Sequence, residues 1–264
     1  SIFGGGYSVC SRKNAPYVCS AGAVLIMSVA YHPTTADVLL WYPKKFREYL
    51  ICWALRSKYH HASLLSVNSK SSEVYVLDQN VDFVREDPVP LDGLLKYGYK
   101  FDVYRLQIPL SEYGRNEVKR TFNMLRQLHY PYLRSLRVPF NLSFLPKGVY
   151  PEKFVVYTQQ GIPRLGIVFC TPFESKIPRK DKKCVQYKQN YCWYESFDKI
   201  TCSGAVVLAF CVSVINCFIP DRNSFDPEVP IRHPILFLPE DFATSPIFKK
   251  VGTIDSNTQL IFTS

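Results

Sequence analysis

The sequence predicts an α+β fold in which a central antiparallel sheet packs on helices, and three observations carry that prediction. Residues 61–67 and 73–78 are apolar, strand-like runs joined by the polar turn Asn68-Ser69-Lys70-Ser71-Ser72, the pattern of a β-hairpin. Val118, Phe122, Leu125 and Leu128 recur at helical spacing and give residues 112–129 one apolar face. Residues 203–220 are apolar on every side, as a helix buried in the middle of a domain requires. A composition of 47% hydrophobic and 15% aromatic residues is ample for the core that such a fold needs.

The elements follow in order. Residues 1–36 form an N-terminal extension, a Gly-rich start followed by an apolar segment expected to be helical and to end near Tyr31-His32-Pro33. Residues 37–42 (Asp-Val-Leu-Leu-Trp-Tyr) read as a short buried strand. In 44–57, Phe46, Tyr49, Leu50 and Trp53 recur at helical spacing, which predicts an amphipathic helix. The hairpin comes next, then a strand over 101–106 and the helix over 112–129. Residues 133–200 mix strand-like runs (154–158, 166–170) with Pro and Lys breaks, and read as a lobe inserted into the main domain, 37–264. The prolines of 220–246 make 220–264 an extended wrap rather than further helices.

Thirty-two basic and 22 acidic residues give a formal charge of +10, which favours acidic partners: nucleic acid, anionic lipid or an acidic protein surface. The dense run at 176–183 (K-I-P-R-K-D-K-K) is either such a contact or a solvated loop. No zinc-knuckle spacing or aromatic-glycine RNA-binding signature accompanies it. Nine cysteines are an odd number, and Cys19, Cys52, Cys211 and Cys217 sit in apolar stretches as small hydrophobes. A reducing intracellular compartment or a virion fits this usage better than secretion. Cys184 and Cys192 are compatible with a local bridge or a metal pair, but nothing nearby completes a four-ligand set, so neither metal nor cofactor is expected. Asn141-Leu142-Ser143 is a glycosylation triplet by chance, since no secretory signal is evident. Polar residues and absent basic anchors in 202–219 argue against a transmembrane segment there.

A cysteine nucleophile needs a thiolate, a base to form it, and donors for the developing oxyanion. Cys202 follows a loop over 196–201 and opens the long apolar helix, where unpaired N–H groups and the helix dipole lower a thiol pKa. A buried structural cysteine is the alternative reading. His61 starts one strand of the hairpin and Asp78 ends the other, so that the carboxylate can orient the imidazole. Geometry and not chain order defines a triad, so base, orienting group and nucleophile may come in this sequence. His60 competes with His61, although alternation with Ala62 and Leu64 favours His61. Gln79 or Asn80 replaces Asp78 if the hairpin register differs. Cys19-Ser20-Ala21-Gly22 echoes Cys202-Ser203-Gly204-Ala205.

Six segments then stand in order: Ala36-Asp37-Val38-Leu39-Leu40, Tyr59-His60-His61-Ala62-Ser63-Leu64, Val76-Leu77-Asp78, Phe101-Asp102-Val103-Tyr104-Arg105-Leu106 with Tyr130-Pro131-Tyr132 beyond the next helix, Thr201-Cys202-Ser203-Gly204-Ala205-Val206, and Leu238-Pro239-Glu240-Asp241-Phe242 with Ser245-Pro246. From Asp37 to the C-terminus this succession resembles the circularly permuted NlpC/P60 (papain-like) superfamily, in its YiiX-like and poxvirus-type branch. The resemblance implies a permuted papain-like fold and a thiol hydrolase, a peptidase, amidase or acyl-transfer enzyme, acting on a peptide, amide or acyl substrate without a cofactor. It implies Cys202, His61 and Asp78 as the catalytic residues; Cys19 lies too close to Asp37 for the unpermuted order. Departures are Ala36 and Tyr130 where the family has glycine, and a longer 133–200 lobe. Thr201-Cys202-Ser203-Gly204 also differs from the Asn-Cys-Glu-His of lecithin:retinol acyltransferase-like relatives. The alternative is a structural protein that keeps the NlpC/P60 fold. It would be a virion or capsid-associated component with protein partners in a viral assembly, or nucleic acid held by its basic surface.

Overall fold

Strand β2 (Val38–Trp41) runs Val-Leu-Leu-Trp, with all four residues buried. A strand without a polar face needs cover on both sides, and β2 has it, in the middle of a six-stranded sheet. The computed structural model describes residues 30–68, 70–79, 88–129, 144–177, 184–187, 189–213 and 231–260. The sheet also contains β3 (His61–Val67), β4 (Val74–Leu77), β5 (Val89–Pro90), β6 (Phe101–Leu106) and β11 (Phe248–Ile254), in the order β11-β6-β2-β3-β4-β5. Every neighbouring pair is antiparallel. The α+β expectation with a central antiparallel sheet therefore holds.

Two helices cover one face. Helix α3 (Glu112–Leu125) is capped by Ser111, whose Oγ accepts the Gly114 N–H at 3.1 Å, and it buries Val118, Phe122 and Leu125. Helix α4 (Cys202–Ser213) buries each residue from Cys202 to Phe210, so it has no solvent side there. Thr201 caps it, its Oγ1 accepting the Gly204 N–H at 3.0 Å. Val38, Leu40, Ala62, Leu64 and Tyr104 pack beneath these two helices. On the other face Leu39, Trp41, Leu65, Val76, Phe101 and Val103 meet Leu91 and Leu95 of the short helix α2 (Leu91–Lys96) and Tyr31.

Two buried carboxylates tie the sheet down. Asp37 receives Arg105 Nε at 2.6 Å and Nη2 at 2.7 Å, with the Tyr31 hydroxyl and the Thr34 amide completing its shell. Asp102 accepts from the hydroxyls of Tyr42, Tyr59 and Thr253, and Lys250 lies 2.7 Å away. Each buried charge is thus fully partnered, as burial demands.

The 133–200 segment is richer in structure than its sequence conveys. β7 (Tyr150–Gln159), β8 (Ile162–Thr171), β9 (Cys184–Tyr187) and β10 (Asn190–Phe197) form an antiparallel sheet in the order β7-β8-β10-β9. Phe154, Leu165, Ile167, Phe169 and Trp193 enter the same core as α3 and α4. Cys170 and Cys192 stand directly opposite each other in the β8–β10 register and form a disulfide. The local Cys184–Cys192 bridge that their spacing allowed is thus not formed: Cys184 is a free thiol opposite Trp193.

Three further expectations change. Residues 248–254 are an edge strand paired with β6, and Pro239–Thr244 is a helix, α5, so this part of the tail is not an extended wrap. Ala30–Tyr31 is a strand, β1, pairing in parallel with β12 (Gln259–Leu260). Helix α1 (Phe46–Leu55) exists as predicted, but Phe46, Tyr49, Leu50 and Trp53 point to solvent, because Glu48 and Cys52 occupy the inner side. Cys19, Asn80, Tyr130-Pro131-Tyr132, Asn141, residues 178–183 and Cys217 lie outside the described residues.

Candidate active site

His61 is the first residue of β3 and pairs with Trp41, whose indole meets the imidazole edge-on with centroids 5.4 Å apart. The β3–β4 ladder ends at Leu64↔Leu77, and Asp78 follows immediately. From there its Oδ1 is hydrogen-bonded to His61 Nε2. With Nε2 committed, Nδ1 is the ring nitrogen left for a second partner, and the Cys202 thiol is the neighbour whose charge acts on the His61 ring. The three residues singled out in the sequence thus meet: Asp78, His61 and Cys202 in a row.

Cys202 is the first residue of α4, only 4% exposed. Besides His61, its sulfur is approached by the backbone N–H of Ala62 and by Ser203 Oγ at 3.7 Å. Burial pushes the thiol pKa up. The imidazolium of His61, the Ala62 N–H and Ser203 outweigh that and leave it below its ordinary value. Burial acts on His61 in the opposite direction, lowering its pKa. The charges of Asp78 and Cys202 overcome this and hold it well above the ordinary histidine value. Both shifts favour the same state, a thiolate beside an imidazolium.

The competing residues take other places. His60 donates its backbone N–H to Trp41 O at 3.1 Å and stacks on His61 with centroids 6.1 Å apart. Its Nε2 lies 3.9 Å from Glu48. Burial, followed by the charge of His61, lowers its pKa to about 4, so it stays neutral where His61 is charged. Gln79 does not orient the imidazole. Its Nε2 donates to Leu128 O at 3.0 Å and Ile200 O at 3.3 Å, tying the end of α3 to the loop that delivers Cys202.

Two contributors escaped the sequence reading. The Ala62 amide is invisible there because any residue type supplies a backbone N–H. The Thr201 cap was legible in principle, as a threonine just before an apolar run. Its hydroxyl also donates to Phe237 O at 3.0 Å, which fixes the start of α4 against the C-terminal segment.

A groove of about 1140 Å³ opens beyond Leu77 between the hairpin and α3, with Ser66, Tyr75, Arg115, Lys119 and Arg126 on its walls. His61 and Cys202 do not line it. Burial lowers the Arg126 pKa and Asp78 opposes that, so the basic end of the groove lies within electrostatic reach of the Asp78 carboxylate. Among the described residues no three His, Cys, Asp or Glu side chains are grouped to hold a metal ion, and no helix is long and apolar enough to cross a membrane. Compared with protein-family models, curated proteins and solved structures, the chain matches none of them.

Proposed function

We propose that the chain is a papain-like thiol hydrolase of the circularly permuted NlpC/P60 kind, acting on an amide or ester carbonyl. The observation that carries this reading is His61, hydrogen-bonded to Asp78 and close enough to Cys202 for each to shift the other's pKa. The Cys202 thiolate would attack the carbonyl carbon, forming a C–S bond while the carbonyl electrons move onto oxygen. The backbone N–H groups of the first turn of α4 are where such an oxyanion needs donors. Collapse of the intermediate breaks the C–N or C–O bond, and the His61 imidazolium gives its proton to the leaving group. Neutral His61 then takes a proton from water or another acceptor as the acceptor's oxygen or nitrogen bonds to the acyl carbon; the C–S bond breaks, releasing the acyl product and restoring the Cys202 thiolate beside the His61 imidazolium. Asp78 keeps the ring oriented and stabilises its charged form.

Ala36 lends independent support, at φ 74°, a left-handed conformation that favours glycine. It stands where the resemblance expects a glycine.

The test is the rate of iodoacetamide labelling from about pH 4 to 9, mapped by mass spectrometry, on wild type and His61→Ala. Fast labelling of Cys202 below neutrality that collapses in the variant is the expected result. The second reading is a structural protein that keeps the fold, and the low exposure of Cys202 favours it. Labelling no faster than an ordinary thiol, and indifferent to His61, would leave that reading in place of the enzyme.

A further inference from the structure

Helix α1 carries four large apolar side chains on its outer surface. Phe46 is 79% exposed, Tyr49 56%, Leu50 49% and Trp53 80%. Their i, i+3, i+4, i+7 spacing puts them in one arc of about 100°. They face outward because the opposite arc is anchored: Cys52 is buried, and the Glu48 carboxylate accepts the backbone N–H groups of Lys44 and Lys45 at 2.7 and 2.9 Å. Tyr97, 74% exposed, extends the patch. The turn that bears it lies against the start of α1, where the Lys44 ammonium sits 5.1 Å from the Tyr99 ring centroid. A contiguous exposed patch of this kind marks a surface that something else covers.

The rim identifies the cover. Lys44, Lys45, Arg47, Arg56 and Lys58 flank the four side chains in sequence, against Glu48 alone, and Lys96 and Lys100 flank Tyr97. Each of these cations is exposed. Phenylalanine, leucine, tryptophan and tyrosine on a convex helix surface ringed by cations match a bilayer. Its acyl layer takes the apolar side chains, its interface takes indole and phenol, and its anionic headgroups meet the lysines and arginines. A protein partner would have to combine an apolar concavity with an acidic rim.

We propose that α1, together with Tyr97, docks the protein on an anionic lipid surface, with the helix lying in the interface rather than crossing it. This docking is independent of the thiol chemistry.

The test uses the full chain and vesicles of phosphatidylcholine alone or with about three parts in ten phosphatidylserine. Flotation with the anionic vesicles is expected, weakened by about 0.5 M NaCl. Trp53 emission is expected to shift to the blue on binding, since Trp41 and Trp193 are already buried at 7% and 4% exposure. The double variant Phe46→Ser, Trp53→Ser changes only exposed side chains and keeps its fold by circular dichroism. Its partition onto anionic vesicles is expected to fall at least tenfold. Absence of flotation, or flotation unchanged in the double variant, would overturn the proposal. So would wild-type self-association that the double variant abolishes without any vesicle binding, which would make a second copy of the chain the cover.

Discussion

The backbone N–H of Ala62 lowers the pKa of the Cys202 thiol, so strand β3 acts twice on the same sulfur: through this amide and through the imidazole of His61, one residue earlier. The amide is available because β4 stops pairing at Leu77, short of the residue that would face Ala62. The end of one strand therefore does two things, releasing an N–H for the thiolate and placing Asp78 at the far side of the imidazole. A one-residue slip of β3 would lose both contacts and turn every core side chain to the other face.

The Asp78 contact sets the upper edge of the thiolate–imidazolium range. His61 has a raised pKa in the fold, so its charged form persists above the usual histidine range and is lost as pH rises through that raised value. Asp78→Asn removes the anion and leaves a neutral amide. The His61 pKa is then expected to fall, and the Cys202 pKa to rise as it loses the imidazolium. Imidazole titration by NMR and thiolate absorbance near 240 nm check both signs. At about pH 6 the labelling rate of Cys202 should fall roughly tenfold, the size of a shift of about one pKa unit. An unchanged titration of His61 would remove Asp78 from the site.

How much of this was legible in the sequence depends on which physical cue each residue carries. His61, Asp78 and Cys202 were readable because each sits at the end of an element that the sequence delimits plainly, the two strands of a hairpin and a long apolar run. Helix α1 was readable as a helix, but periodicity gives the width of an apolar stripe and not its direction, so the exposure of Phe46 and Trp53 was hidden. Gln79 is open to an orienting role on the sequence alone and proves to be a clasp between Leu128 and Ile200; that depends on long-range contacts no local pattern encodes. The pairing of Cys170 with Cys192 required the register of β8 against β10, and Pro and Lys breaks obscured both strands.

That disulfide is expected to matter for stability and not for the thiol chemistry. It closes a sequence separation of 22 residues, a loop for which chain-entropy arguments give about 3 kcal/mol. Cys170→Ala with Cys192→Ala should lower the urea midpoint accordingly, and reductant should lower wild type to the same level. Cys202 labelling in the folded variant should keep its pH profile. Mass mapping without reduction should find Cys170 and Cys192 protected and Cys184 modified. Modification of Cys192 in the unreduced protein, with Cys184 protected, would show that the bridge is made elsewhere.

Ala36 offers the cleanest test of the backbone that leads into the sheet. It is 6% exposed, holds φ at 74°, and donates its N–H to Leu65 O at 3.0 Å, just before Asp37 enters its bonds with Arg105 and Tyr31. In that conformation a Cβ crowds the backbone, at a cost of roughly 1–2 kcal/mol that glycine avoids. Glycine is also freer in the unfolded chain, which offsets part of the relief. Ala36→Gly is therefore expected to stabilise the fold by about 0.5–1 kcal/mol, raising Tm by about 1–4 °C. Most surface substitutions do nothing and most buried ones destabilise, so a gain at a buried position points to the backbone rather than to packing. A loss of stability in Ala36→Gly would mean that residue 36 does not hold a left-handed conformation in solution, and would weaken the match of this strand opening to the NlpC/P60 pattern.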